Sequence, residues 1–171
     1  MRHLFFAACT SVLIFIAVPA VAEDSAGSVI TGMEYDVLKV VLAEYPSVSV
    51  DKTTLSGTMF NDLDKFTFKP PLGQDIVGDL NEKNKVSCEL PAELIVQAPE
   101  KQDGVSEGRK SVRLSRAGFD KESKSALLVV QTTYYYPEDI MNEGEFILLY
   151  MRDGKWTVEK RATAWSMRLG K

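Results

Sequence analysis

Residues 146–158 read Phe-Ile-Leu-Leu-Tyr-Met-Arg-Asp-Gly-Lys-Trp-Thr-Val, and this stretch decides the fold of the chain. An Asp-Gly pair between two apolar runs is typical of a β-hairpin with a two-residue type I′ turn. Such a turn at Asp153 and Gly154 places Met151 opposite Trp156, and it places Leu149 opposite Val158. These pairs share one face, which the sequence predicts to be core.

The opposite face of the same hairpin is more polar. The turn places Phe146 opposite Arg161, and it places Leu148 opposite Glu159. Because each apolar residue has a charged partner, we expect this face to be half solvated.

Further strands are predicted on both sides of this hairpin. The apolar run at 126–130 is typical of a central strand buried on both faces, and a turn at 120–123 separates it from a strand over 111–118. Shorter strands are expected at 48–50 and 92–97, with exposed loops over 98–110 and from Pro137 through 142–144. The chain therefore predicts a meander of at least four antiparallel strands.

Two helices are predicted before this meander. Thr31 and Glu34 fit a capping box, and the apolar residues behind them recur at helical spacing until Pro46, which predicts a helix over 32–45. A second helix is expected over about 74–84, while the segment at 55–71 is left unassigned. The predicted fold class is α+β, with N-terminal helices packed on one face of a curled antiparallel sheet.

The first 22 residues have the features of a secretory signal. Arg2 and His3 precede an apolar run of about 15 residues, shorter than the roughly 20 that a membrane span needs. Ala20-Val21-Ala22 then supplies a cleavage pattern. We therefore expect residues 23–171 to form a single periplasmic or secreted domain, without stable membrane insertion once the signal is removed.

Composition excludes several kinds of chemistry. The segment 23–171 contains no histidine and one cysteine, Cys88. Nucleophilic triads, imidazole bases and histidine-ligated metals therefore lack their residues. We expect no catalytic residue, no metal and no cofactor, and we interpret Cys88 as a small buried hydrophobe rather than a reactive thiol.

Charge argues against nucleic acid as a partner. Without the first 22 residues the chain has 19 basic and 24 acidic residues, a net charge of −5. An acidic domain of this kind binds polyanions poorly. The densest basic cluster, Arg109, Lys110, Arg113 and Arg116, is interpreted as the solvated face of a strand.

Aromatic and acidic residues near the end of the predicted central strand form the candidate binding site. Consecutive strand residues alternate faces, so Tyr135 should oppose Tyr134 and Tyr136. Tyrosine is favoured at interfaces because it offers a large contact area at low entropic cost. The candidate binding residues are Tyr134, Tyr135, Tyr136, Glu138, Asp139, Glu143 and Trp165.

Three sharper chemical interpretations are weaker. Ser49 and Lys52 match a Ser-x-x-Lys nucleophile pattern, but that pattern needs a helix and two further motifs that are absent from the sequence. The carboxylates of Glu138, Asp139, Glu143 and Glu145 do not match the spacing of a calcium loop. The same set could supply a glycosidase pair, but no other feature of the sequence supports one.

The C-terminal part of the chain resembles a group of small exported bacterial proteins of unassigned function. The resemblance covers about 55 residues: Leu114 to Val130, the Gly-Glu-Phe-x-Leu-Leu motif from Gly144, and the Asp-Gly-Lys-Trp-x-Val motif from Asp153, ending at Trp165. More distantly, the order of elements is similar to the NTF2-like cone fold. That resemblance implies a structural role in the hairpin for Gly154, Lys155 and Trp156.

Two functions remain open at this point. The first is a non-catalytic exported protein that binds a protein partner, of the kind that inhibits or protects against another secreted protein. The alternative is an NTF2-like pocket protein that binds a small apolar molecule, with weak Asp, Glu or Tyr chemistry. A filled interior next to Trp165 and Phe146 favours the first, and a lined cavity favours the second; a purely structural envelope component is a third class.

Overall fold

The computed structural model describes residues 29–30, 32–57, 68, 71–96 and 109–170. This part of the chain contains two α-helices and six strands. The helices are α1 (Gly32–Leu42) and α2 (Gln74–Lys83), and a short 3₁₀ helix spans Ala92–Leu94. The strands are β1 (Ser49–Val50), β2 (Arg109–Leu114), β3 (Gly118–Phe119), β4 (Ser125–Tyr135), β5 (Asp139–Arg152) and β6 (Lys155–Gly170).

The strands form one mixed sheet with the order β1-β2-β4-β5-β6, and β3 pairs with β4 beyond the end of β2. The short β1 runs parallel to β2, whereas all the other pairs are antiparallel. The α+β class and the meander of at least four antiparallel strands are confirmed.

The hairpin at Asp153 and Gly154 forms as predicted. Both residues have positive φ, 50° and 74°, as a type I′ turn requires. Met151 pairs with Trp156 and Leu149 pairs with Val158. Leu149 and Trp156 are buried in the hydrophobic core on the α1 side of the sheet, and Met151 and Val158 are partly buried against it, so the predicted core face is confirmed.

Beyond these pairs the predicted register is wrong by one residue. Leu148 pairs with Lys160 and Phe146 pairs with Ala162, because a β-bulge at Glu159 inserts one extra residue into β6. On this face Phe146 and Leu148 are buried, whereas Lys160, the partner of Leu148, is exposed.

The two helices lie on opposite faces of the central strands, which corrects the expectation that both cover one face. Val37, Leu38 and Val41 of α1 pack with Leu128 and its same-face neighbours. Ile76 and Leu80 of α2 instead pack with Leu127, Val129, Phe146 and Leu148. Because side chains alternate along β4, these two clusters occupy its two sides. The run at 126–130 is therefore buried on both faces, as predicted.

The strand predicted over 111–118 is interrupted at residues 115–117. At Arg116 the backbone pairs with a side chain rather than a strand: its N–H donates to Asn84 Oδ1 at 2.8 Å, and its carbonyl accepts from Asn84 Nδ2 at 3.1 Å. The buried Asn84 thus ties the end of α2 to the break between β2 and β3.

Other predicted boundaries differ in smaller ways. Helix α1 ends at Leu42 rather than at residue 45. Residues 92–94, predicted as part of a strand, form a 3₁₀ turn that follows Pro91 and buries Leu94. The loop expected through 142–144 is wrong, because these residues lie inside β5 and pair with both β4 and β6.

Several predictions lie outside the described residues. These are the signal at 1–22, Thr31 of the capping box, most of the segment 55–71 and most of the loop at 98–110. Within the described residues, neither helix has the length and apolar character needed to cross a membrane.

Candidate binding surface

The far end of the sheet extends beyond the region that the helices bury. We call this part the distal end, and it comprises residues 131–135 of β4, 139–144 of β5 and 165–170 of β6. The pairs of β4, β5 and β6 continue across it in register. The candidate residues Tyr134, Tyr135, Asp139, Glu143 and Trp165 all lie in this region, and Tyr136 and Glu138 occupy the adjoining turn.

One side of the distal end bears no charged residue on these three strands, and we call it the uncharged face. It continues the side of the sheet on which α2 packs, because its residues alternate in step with Phe146 and Val129. Its nine positions form three cross-strand rows: Gln131, Gly144 and Trp165; Thr133, Asn142 and Met167; and Tyr135, Ile140 and Leu169.

Large apolar side chains are exposed on this face. The exposed fractions are 41% for Tyr135, 51% for Met167 and 53% for Leu169. Together with Tyr136 at 38%, they make up half of the eight large hydrophobic residues that are exposed in the described part of the chain. Their concentration at one end distinguishes them from singly scattered surface residues, which need no explanation.

Trp165 covers a glycine rather than lining a cavity. A Cβ atom at Gly144 would lie 2.3 Å from the indole Cδ2 of Trp165, so the ring occupies the space of the missing side chain. Gly144, which suggested a loop in the sequence, is thus required by close packing inside a strand.

The opposite face of the distal end carries an aromatic cluster. Tyr134 and Tyr136 stack with their ring centroids 6.5 Å apart, whereas Tyr135 is on the other side, as predicted. The Lys110 ammonium lies 5.2 Å from the ring centroid of Tyr134 and 5.7 Å from that of Tyr45. Burial, assisted by the charge of Glu145 and by Tyr134, raises the pKa of Tyr45 to about 12.

Asp139, Glu143 and Glu145 each interact with a different side chain. Asp139 pairs with Arg168, and Glu145 pairs with Arg161, which also contacts Glu44. The Glu143 carboxylate accepts a hydrogen bond from the Tyr134 hydroxyl. Burial is the main cause of the raised pKa of Tyr134, and the nearby Glu143 carboxylate raises this pKa further.

The buried Asp139 Oδ1 has no hydrogen-bond partner, although its other oxygen contacts Arg168. Within the described residues, no group of three or more His, Cys, Asp or Glu residues is placed to hold a metal ion.

Two features of the structure were not predicted from the sequence. Met167 and Leu169 extend the uncharged face, and the alternation Trp165-x-Met167-x-Leu169 was the signal that could have found them. Arg116, expected on a solvated face, is buried and forms an ion pair with Glu34 at 2.7 Å. No local sequence pattern predicts this ion pair, because its two residues are 82 positions apart in the chain.

The remaining candidates have structural surroundings. Cys88 is buried, as predicted, and the Thr54 hydroxyl lies 3.6 Å from its sulfur. Ser49 lies in β1 and Lys52 lies beyond its end, so the Ser-x-x-Lys pattern is not on a helix.

Two concavities lie away from the distal end. An open groove of about 530 Å³ runs between α2 and the turn at 120–123, with Met33 and Phe119 among its lining residues. Two carboxylates that line this groove stabilise the fold: Asp75 accepts a hydrogen bond from the Lys121 N–H, and Asp79 accepts one from the Phe119 N–H. A second cavity of about 220 Å³ adjoins Phe68, Leu148 and Tyr150.

Comparison of the chain with known protein families, with curated proteins and with solved structures finds no match. The assignment of function therefore rests on the geometry of the distal end.

Proposed function

We propose that this chain is an exported, non-catalytic binding protein that acts through a protein partner docking on the uncharged face. The observation that carries the proposal is the concentration of exposed Tyr135, Met167 and Leu169 on a face that bears no charged residue on β4, β5 and β6. Aromatic residues and methionine are enriched where proteins meet, whereas charged residues are depleted at the centre of such contacts.

The partner is expected to present a basic surface. The whole chain has a formal net charge of −4, which favours rapid encounter with a cationic protein. An inhibitor or immunity-type protein that caps a secreted enzyme fits this description.

The pocket alternative has a weaker basis in the structure. Around Phe146 the interior is filled, since Phe68 packs against it with ring centroids 6.5 Å apart. The adjoining cavity of about 220 Å³ is smaller than the roughly 300–1,000 Å³ of most ligand sites. A small apolar molecule is therefore the second candidate, with Leu148 and Tyr150 among the residues in contact with it.

The test is affinity capture from a native envelope extract with a salt series, followed by mass spectrometry. We expect one stoichiometric partner that is lost at high salt and that Tyr135→Ala and Met167→Ser variants no longer capture. Val86→Ser serves as the matched control, because Val86 is 72% exposed on a different part of the surface.

Each other outcome has a defined meaning. Equal capture by the distal-end variants and by the control contradicts docking on this face. Capture that is unchanged by salt contradicts the basic partner. Absence of any partner, together with a small molecule retained in native mass spectrometry, favours the pocket.

A further inference from the structure

Strand β6 is the edge of the sheet, and its two halves differ in how they discourage pairing with another strand. Among the described strands β6 pairs only with β5. Its first half carries Lys155, Glu159, Lys160 and Arg161 and contains a β-bulge at Glu159, and a second bulge follows at Ala164. Charges and bulges of this kind are the usual protection of sheet edges.

The second half of β6, residues 165–170, has little of this protection. It pairs regularly with β5 over six residues and carries one charged side chain, Arg168. Trp165, Met167 and Leu169 alternate along it on the uncharged face, and the last two are about half exposed. A regular, apolar edge segment presents unpaired backbone groups that can accept another strand.

We propose that residues 165–170 pair antiparallel with the same segment of a second copy of this chain, forming a dimer with one continuous sheet. The two-fold axis stands perpendicular to the sheet, so the uncharged faces of both copies lie on the same side. This inference rests on the proposed function in one respect, namely that the uncharged face is the surface used.

Charge and regularity select the register of this pairing. Opposing Met167 with Met167 of the second copy sets Trp165 against Leu169 and Ser166 against Arg168. A shift by two residues in one direction opposes Arg168 with Arg168, and like charges directly opposite are destabilising. A shift in the other direction carries the pairing across the bulge at Ala164. The register centred on Met167 avoids both.

Pairing of two copies also enlarges the apolar surface that a partner can contact. Three half-exposed side chains present on the order of 300 Å² if each offers roughly 200 Å² when fully exposed. A stable interface needs about 800 Å² from each partner. Edge pairing leaves the face open and doubles the apolar area on one side of the sheet, which brings the dimer near that requirement.

The experiment measures the mass of the full chain, expressed with its own N-terminal segment, by sedimentation over a concentration series. We expect a concentration-dependent dimer. Ser166→Lys, which faces Arg168 of the second copy twice per dimer, should raise the dimer dissociation constant on the order of tenfold. Ser166→Glu should lower it, and neither change touches the uncharged face.

A cysteine at the two-fold axis tests the register. Met167→Cys should form a disulfide-linked dimer under mild oxidation, because directly opposed strand residues fall within disulfide range. Thr157→Cys, exposed in the first half of the same strand, is the control.

Three results would overturn the pairing. One is a monomer mass at protein concentrations up to about 1 mM, and another is equal cross-linking of the two cysteine variants. The third is a monomeric chain whose Ser166→Lys variant no longer binds a captured partner. The last would indicate a strand from another protein. Capture that still depends on Tyr135 while the chain stays monomeric would leave the proposed function intact.

Discussion

The three longest strands, β4, β5 and β6, have very different surroundings at their two ends. Near the turn at Asp153 the sheet is covered by α1 on one side and by α2 with Phe68 on the other. At the distal end the same strands expose Tyr135, Met167 and Leu169. Strand pairing is continuous through both regions, so pairing alone does not bury a sheet; the elements packed on it do.

The buried region is also tied together by a network that includes buried charges, whereas the polar side chains of the uncharged face are neutral: the Thr133 hydroxyl donates to Asn142 Oδ1 at 2.8 Å. Arg116 contacts α1 through Glu34 and the segment before α1 through the Val29 carbonyl, and its backbone contacts the end of α2 through Asn84. Removing parts of this network should cost far more stability than changes on the uncharged face.

The largest effect is expected for Arg116→Met. This variant leaves the fully buried Glu34 carboxylate without its ion-pair partner, which should cost about 3–5 kcal/mol of unfolding free energy. Chemical denaturation of the purified variants measures the loss.

The double variant E34Q/R116M sharpens this result. It removes both charges but keeps an acceptor for the Ala117 N–H, which donates to Glu34 Oε1 at 3.0 Å. It should recover much of the stability that Arg116→Met loses. A double variant no more stable than the single one would show that packing of the arginine stem, rather than an unpaired charge, accounts for the effect.

A smaller loss is expected for Gly118→Ala. The added Cβ would lie 2.5 Å from both the Ile76 carbonyl oxygen and the Leu80 nitrogen, so the backbone of α2 must move. Overpacking of this kind costs about 1–3 kcal/mol. The change in thermal unfolding temperature is the readout.

Gly78→Ala, a glycine substitution within α2 itself, provides the matched control. Its Cβ would have nothing within 4 Å, so alanine should stabilise α2 by roughly 0.5–1 kcal/mol. If Gly118→Ala and Gly78→Ala changed the unfolding temperature in the same direction and by the same amount, close packing of α2 on β3 would not be the reason that residue 118 is glycine.

A pH-dependent effect is expected at the border of the two regions, where Tyr45 packs beside Lys110. The pKa of Tyr45 is about 12 in the folded chain against an ordinary value of 10.0. Because the folded state favours the neutral phenol, this stabilisation is complete below pH 10 and is lost as the pH rises through about 12. Unfolding free energies between pH 9 and pH 12 should fall more steeply for the parent chain than for Tyr45→Phe, and parallel curves would contradict it.

Local patterns predicted the buried region well. The Asp153-Gly154 turn, the central run at 126–130 and the apolar stripe of α1 all depend on neighbours in the sequence, and all three are confirmed. The errors came where distant groups intervene: the bulge at Glu159 shifts the register, and Asn84 interrupts the strand at Arg116.

The candidate surface was predicted in part. The alternation of the tyrosines about the β4 axis follows from the two-residue period of a strand, and the stacking of Tyr134 on Tyr136 agrees with it. The sequence analysis did not indicate that Trp165 and Tyr135 share a face whereas Tyr134 and Glu143 occupy the other. That relation depends on the pairing of β4 with residues 139–144 of β5, and part of this segment was predicted to be a loop.

The sequence by itself determined the α+β class, the hairpin and the short supply of catalytic side chains, because composition, periodicity and turn chemistry are local properties. Only the tertiary structure decided that the helices lie on opposite faces, that Arg116 is buried against Glu34, and that the two described helices leave one end of the sheet uncovered. Those features depend on contacts between residues far apart in the chain. The side chain that meets a given residue in space is set by the packing of whole elements.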